Sequence, residues 1–95
     1  IGGIIVLELD RMHFSLSEIS RIVESNDCTL HHLNTINNPQ TGLLTVTLHL
    51  NKKEIASVVA TFERYEYKVI HEFGVRKHES DTLVNYKNLM NYLDL

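Results

Sequence analysis

Three polar residues stand together where an apolar segment leads into a predicted helix. Asp10, Arg11 and His13 follow that segment and precede Ser15, which has Glu18 three positions further on. This Ser-x-x-Glu spacing predicts a helix N-terminus, where the hydroxyl and the carboxylate satisfy backbone N–H groups and where an anion is favoured. Arg11 could then pair with a ligand carboxylate. The alternative is that all three are solvated side chains of a surface loop.

Six histidines in 95 residues raise the question of a metal site. If Ile36 pairs with Leu44 across a turn, His31 lies opposite His49 with Cβ atoms about 5 Å apart, close enough for both imidazoles to bind one ion. The pattern supplies no third ligand, because His71 falls on the far edge strand. We therefore predict no metal site and place these histidines at an interface. A small His-rich metal-binding domain stays an alternative.

The sequence carries no signature of catalysis. Cys28 is the only cysteine, which excludes an internal disulfide and fits a reducing, cytoplasmic setting. It stands beside apolar Leu30 and is predicted to be a small core residue rather than a nucleophile. No paired carboxylates, nucleophile elbow, phosphate-binding loop or metal-ligand pair at helical spacing is present. We predict neither enzymatic activity, nor a catalytic residue, nor a cofactor.

Composition excludes several other classes of protein. The net charge is −3 and no cluster of Lys and Arg is longer than two, so binding of nucleic acid or of an anionic membrane surface is not indicated. No apolar run has the length of a membrane span, and no signal-like segment occurs. A hydrophobic content of 43% and a charged content of 22% are typical of a globular domain. We predict one cytoplasmic domain.

Hydrophobic periodicity predicts the elements that position these side chains. Strands are predicted over 4–9, 28–36, 43–50 and 67–73. One helix begins after Ser15, and a second is capped by Asn51 with Glu54 and ends at Glu66. The order β-α-β-β-α-β predicts an α+β, ferredoxin-like two-layer sandwich with an antiparallel sheet in the order 4-1-3-2. The predicted core comprises Ile5, Leu7, Leu9, Leu16, Ile19, Val23, Leu30, Leu44, Val46, Leu48, Ile55, Val59, Phe62 and Val69.

Two surfaces are left over by this fold. After a polar connector, Ser80 caps an extra C-terminal helix with Leu83, Tyr86, Leu89, Met90 and Leu93 on one side. The sheet face without helices is predicted to carry Val6, Leu33, Thr45, Thr47 and Ile70. Uncovered apolar surface of this kind predicts a homodimer or a higher assembly.

Four segments carry a family resemblance: 14–19, 21–27, 60–65 and 89–93. With the order of the elements, they resemble the C-terminal ACT-like domain of bacterial CBS-domain proteins of the acetoin-utilisation type, over 4–95. The resemblance implies one ACT-like regulatory domain over 1–95. In it, 1–3 is a linker remnant, 4–73 the βαββαβ core, and 74–95 a connector and helix. A preceding pair of CBS motifs, which bind adenine nucleotides, is absent from this chain.

The resemblance also implies a ligand site, because ACT domains place a ligand, often an amino acid, against the loop from the first strand to the first helix. The matching ligand-binding positions are Asp10, Arg11, Met12 and His13, with Asn26 and Asp27 before the second strand. Amino-acid-binding members usually carry glycine at these places, and this sequence does not. A ligand other than an amino acid is therefore an alternative. The implied function is a regulatory or assembly module that senses a small-molecule effector and couples it to dimerisation. The alternative is a purely structural dimerisation domain.

Overall fold

The computed structural model describes residues 2–74, so the predicted C-terminal helix lies outside the described residues. The elements are β1 (Ile4–Asp10), a 3₁₀ turn (Arg11–His13), α1 (Leu16–Ser25), β2 (Leu30–Asn38), β3 (Leu43–Leu50), α2 (Ala56–Arg64) and β4 (Lys68–Phe73). The order β-α-β-β-α-β is therefore confirmed for this part of the chain. The result is an α+β domain with one four-stranded antiparallel sheet and two helices, compatible with a small ferredoxin-like fold.

The sheet places the first and third strands in its centre. Its strands lie in the order β2-β3-β1-β4, and each neighbouring pair is antiparallel. Counted from the β4 edge, this sequence of strands is 4-1-3-2, the arrangement that two right-handed crossovers produce. Because β4 runs antiparallel to β1, the start of β4 lies beside the end of β1, and Glu8 pairs with Lys68.

Both helices pack on one face of the sheet and enclose a single core. Ile5 and Val46 of the central strands are fully buried, as are Ile19 of α1 and Phe62 of α2. Most of the predicted core is confirmed, with Leu9, Leu30, Leu44 and Val69 partly buried against it. The burial predicted for Cys28 is confirmed, and the buried hydrophobic residues that the prediction omitted are Ile22, Leu50, Val58 and Tyr67.

The prediction was wrong for Leu16, whose side chain is 51% exposed. Leu16 is the first residue of α1, and the helix turns Ile19, Ile22 and Val23 toward the sheet instead. The predicted Ser15 cap is confirmed, since its hydroxyl accepts from the Glu18 backbone N–H at 3.2 Å.

The second helix begins differently from the prediction. It starts at Ala56 after Ile55, without a side-chain cap, and it ends at Arg64 rather than at Glu66. Asn51 does not cap it. Its Oδ1 instead accepts from the Thr29 backbone N–H at 2.8 Å, which ties the chain before β2 to the end of β3.

The register of β2 against β3 differs by one residue from the predicted register. Ile36 pairs with Thr45 rather than with Leu44, because the turn leaves four residues between the last pair, Asn38 and Leu43. Gly42, at φ 76°, closes this turn by donating its N–H to the Asn38 carbonyl at 2.8 Å. A shift of one residue moves side chains to the other face of a strand.

Two predicted positions on β2 are wrong for this reason. Leu33 pairs with buried Leu48 and packs against the core, not on the open face. The same shift places His32, and not His31, directly opposite His49, and the irregularity between Leu30 and His32 lies beyond this pair.

The glycines assigned to a linker remnant are packed against the connection between β3 and α2. The Gly3 N–H donates to the Lys52 carbonyl at 2.8 Å, and the Gly3 carbonyl accepts from Leu50 at 2.9 Å. A Cβ at Gly2 would lie 1.7 Å from the Leu50 carbonyl oxygen. Close backbone approach therefore requires glycine here.

Candidate functional site

A cavity of about 530 Å³ opens at the end of the sheet where β1 ends and β4 begins. We call it the β1–β4 cleft. The end of β1, the 3₁₀ turn, the first turn of α1 and the α2–β4 connection converge on it because β1 and β4 are antiparallel neighbours. Its lining comprises Glu8, Leu9, Asp10, His13, Glu18, Leu43, Tyr65, Glu66, Tyr67 and Lys68.

Tyr67 and Glu18 join the two layers at the base of the cleft. Glu66 takes a left-handed conformation at φ 68°, and the following residue, Tyr67, is buried with its ring edge-on to Phe62 at 5.2 Å between centroids. The Tyr67 hydroxyl donates a hydrogen bond to Glu18 Oε1. The Glu18 carboxylate thus accepts from the tyrosine that precedes β4.

Burial and this acidic partner keep the Tyr67 hydroxyl protonated. Burial is the larger cause that raises the pKa of Tyr67, and the hydrogen bond to Glu18 and its negative charge raise that pKa further. The phenolate form is disfavoured because both its desolvation and the neighbouring carboxylate oppose a negative charge. Tyr67 therefore acts as a permanent hydrogen-bond donor at neutral pH.

The charges lining the cleft are mainly negative. Lys68 Nζ lies 3.3 Å from Glu8 Oε1, and His13 Nδ1 lies 3.3 Å from Asp10 Oδ2. Glu18 and Glu66 add two further carboxyl groups. Four acidic side chains thus face one lysine and one imidazole, and this balance gives a negative potential that opposes a free carboxylate or phosphate.

The structure brings only two of the six predicted site residues to the cleft. Asp10 and His13 line it, whereas Arg11 and Met12, in the same turn, do not. Met12 is 92% exposed. The geometry therefore does not support the predicted pairing of Arg11 with a ligand carboxylate. Arg11 does not line the cleft, and the negative charge of the lining opposes a carboxylate.

Asn26 and Asp27 lie at the other end of α1, about 15 Å away for a ten-residue helix. The Asn26 amide donates to the Ile22 carbonyl at 2.8 Å and to Thr61 Oγ1 at 3.2 Å, which joins α1 to α2. Asp27, at φ 63°, forms an ion pair with Lys52 at 3.1 Å. Both residues hold the helix end in place and are separate from the cleft.

Sequence reasoning missed the contribution of the α2–β4 connection. Four consecutive residues of this connection line the cleft: Tyr65, Glu66, Tyr67 and Lys68. The predicted antiparallel pairing of the first and fourth strands was the available signal, because it places the first residues of β4 beside the last residues of β1.

Metal-ligating and nucleophilic side chains are sparse in the described part of the chain. Among residues 2–74, no group of three or more His, Cys, Asp or Glu side chains could hold a metal ion. His32 and His49 form a pair with ring centroids 5.4 Å apart. Cys28 is buried, as predicted, and burial is the main cause that raises the pKa of its thiol. A raised pKa disfavours the reactive thiolate.

Comparison with known proteins gives no relative from which to carry over a function: no family model, no curated protein and no solved structure matches the chain. Within residues 2–74, neither helix has the length and apolar character needed to cross a membrane.

Proposed function

We propose that the chain is an ACT-like regulatory module of a cytoplasmic CBS-domain protein, and that it senses a small molecule in the β1–β4 cleft. The supporting observation is the cleft itself. It lies against the loop between the first strand and the first helix, where the family resemblance places a ligand. Its volume of about 530 Å³ falls in the range of small-molecule sites.

The lining narrows the class of ligand. Leu9 and Leu43 supply apolar surface, Tyr65 an aromatic ring that is 54% exposed, and the carboxylates a negative field. A small molecule with an amine or guanidinium group and an apolar body fits these features, because a cation pairs with carboxylates and with an aromatic face. A polyamine is such a molecule, and a basic amino acid fits less well because the negative field opposes its α-carboxylate.

The sensing would be coupled to assembly of the protein. Ile36 and Phe73 are 59% and 58% exposed on the sheet face without helices, and Ile4 and Val6 lie between them on β1. Apolar surface of this kind favours pairing with a second copy. A ligand that binds the paired and unpaired states unequally shifts pairing, and pairing changes ligand affinity by the same factor.

Thermal unfolding of the 95-residue chain with lysine, arginine, putrescine, spermidine, glutamate and ATP tests the ligand proposal. A ligand of the folded state raises the melting temperature, and we expect the largest rise for the polyamines, a smaller one for lysine and arginine because of their α-carboxylate, and none for glutamate and ATP. The variant Asp10→Asn should reduce the shift, because it removes a carboxylate of the cleft. Glu63→Gln is the matched control, since Glu63 is exposed on α2 and does not line the cleft.

Two results would count against the proposal. One is that none of the compounds changes the melting temperature. The other is that Asp10→Asn and Glu63→Gln respond equally, which would indicate general charge screening rather than a site. Stable dimers with no ligand response would favour the purely structural dimerisation domain, for which the exposed Ile36 and Phe73 are the specific observation.

A further inference from the structure

The open face of the sheet carries a pair of histidines that the β1–β4 cleft does not use. His32 of β2 and His49 of β3 are directly opposed in the ladder, and both side chains are exposed. Their ring centroids lie 5.4 Å apart with the ring planes at 79°. The same row continues through Ile4 to Phe73, so the pair stands at the end of the sheet opposite the Glu8–Lys68 pair.

We propose that His32 and His49 together bind one divalent transition-metal ion of the zinc, nickel or copper class. Imidazole nitrogens suit these ions and do not suit calcium or magnesium. Two imidazoles on one tetrahedral zinc, with Zn–N distances of about 2.0–2.1 Å, have ring centroids about 5 Å apart. The observed 5.4 Å separation thus already matches a shared ion.

The backbone fixes the positions of the two Cβ atoms, and the side-chain torsions set where the ring nitrogens lie. Opposed residues on antiparallel strands have Cβ atoms about 4.5–5.5 Å apart, and the β2–β3 ladder holds both positions from Asn38–Leu43 to Leu30–Leu50. The terminal torsion of histidine is broad, and the exposed rings can rotate so that one nitrogen of each faces the ion. Among residues 2–74 no third protein ligand joins the pair, so water would complete the coordination and the site would bind more weakly than zinc sites with three protein ligands.

The register decides which histidine takes part. His31 lies at the irregularity between Leu30 and His32 and has no partner in the ladder, whereas His32 is paired with His49. His71 lies on β4 opposite Val6 and stacks on Phe73. It is separated from β3 by the whole of β1 and serves as a matched control on the same face.

Isothermal titration of the untagged 95-residue chain with zinc, nickel and copper salts tests the site. We expect one ion per chain and a loss of affinity of about tenfold or more in both His32→Ala and His49→Ala, because even partners outside the ligand shell of metals cost 10–100-fold when mutated. His71→Ala should bind as the unchanged chain does. Calcium and magnesium should not bind.

Electron paramagnetic resonance of the copper complex gives a second, independent readout. Two imidazole ligands produce hyperfine coupling to two nitrogens. The spectra of His32→Ala and His49→Ala should each show coupling to one nitrogen fewer. The assignment is overturned if His31→Ala abolishes binding while His32→Ala retains it, or if His71→Ala weakens binding as much as His49→Ala does. Absence of binding by all three transition metals overturns it as well.

Discussion

Replacing Tyr67 with phenylalanine removes the hydrogen bond that joins the first turn of α1 to the residue before β4, at the base of the cleft. The ring stays, so its edge-on packing against Phe62 at 5.2 Å is retained. Only the hydroxyl that donates to Glu18 Oε1 is removed. A hydrogen bond to a charged group contributes about 1.5–3 kcal/mol, part of which is the cost of leaving the partner unsatisfied.

We expect the free energy of unfolding of Tyr67→Phe to fall by about 2 kcal/mol at pH 7, near the lower end of that range, because Glu18 is only partly buried and water can replace the lost donor. For a domain of this size, about 2 kcal/mol corresponds to about 8–16 °C in melting temperature. Urea unfolding followed by circular dichroism measures the change. Tyr65→Phe is the control, because Tyr65 lines the same cleft but is 54% exposed.

The pH dependence of this difference provides a sharper test. The pKa of Tyr67 is raised in the folded state by burial, by the hydrogen bond to Glu18 and by its charge. A raised folded pKa means that the stabilising contribution is complete below the unfolded pKa of about 10 and is lost as pH rises through the folded pKa. The stability difference between the unchanged chain and Tyr67→Phe should therefore be constant from pH 6 to 9 and should shrink above pH 10.

Equal stability of Tyr67→Phe and Tyr65→Phe at pH 7 would refute this reasoning. So would a difference that grows above pH 10, because that sign requires a lowered pKa in the folded state. The first result would mean that Tyr67 contributes through packing of its ring alone, and the second that the folded protein stabilises the phenolate rather than the protonated hydroxyl.

Two further predictions concern the ends of the elements. Asn26→Ala should lower the free energy of unfolding by about 1–2 kcal/mol without changing the ligand response, since its amide joins α1 to α2 away from the cleft. Urea unfolding measures the first effect and the ligand panel the second. A lost ligand response would show that Asn26 belongs to the ligand site. Gly3→Ala should cost about 1–3 kcal/mol, because its Cβ would lie 2.5 Å from Ile55 Cγ2; thermal unfolding measures it, and unchanged stability would make residue 3 part of a loose linker.

The sequence predicted the order and type of the elements because their signals are local. The alternation from Leu43 to Leu50 gave β3 its observed bounds, and the Ser15 cap gave α1 its first residue. The N-terminus of α2 was mispredicted because Asn51 has the right type and spacing for a cap but finds a different partner, the Thr29 backbone. That partner is distant in the chain and leaves no local pattern.

The candidate site was harder to predict for the same reason. Asp10 and His13 were found because a loop before a capped helix is recognisable in the sequence. Asn26 and Asp27 were included through a family resemblance, and they lie at the far end of α1. The cleft's other wall, Tyr65 to Lys68, depends on the pairing of β4 with β1, which brings together residues nearly sixty positions apart.

The histidine pair shows how much depends on one residue of register. The predicted pairing of Ile36 with Leu44 places His31 opposite His49, whereas the observed pairing of Ile36 with Thr45 places His32 there. Side-chain chemistry alone could not distinguish the two neighbours. The chemistry inferred for the open face therefore depends on the pairing of the two strands, so His32→Ala should weaken metal binding and His31→Ala should not.

The two proposed sites lie at opposite ends of the sheet, and their relation is measurable. His49 is paired with Ile4, whereas the cleft begins at Glu8 on the same strand, which places them about 13 Å apart along β1. If copies of the chain pair through the open face, the metal lies at the interface and the edge of the cleft lies beside it, because Glu8 is in the same row of the sheet as Ile36. Linkage then requires zinc affinity to depend on protein concentration. A cleft ligand that alters pairing must also alter zinc affinity, and zinc must alter the affinity of that ligand by the same factor. Zinc affinity independent of concentration in a chain that dimerises would place the pairing surface elsewhere than on the open face.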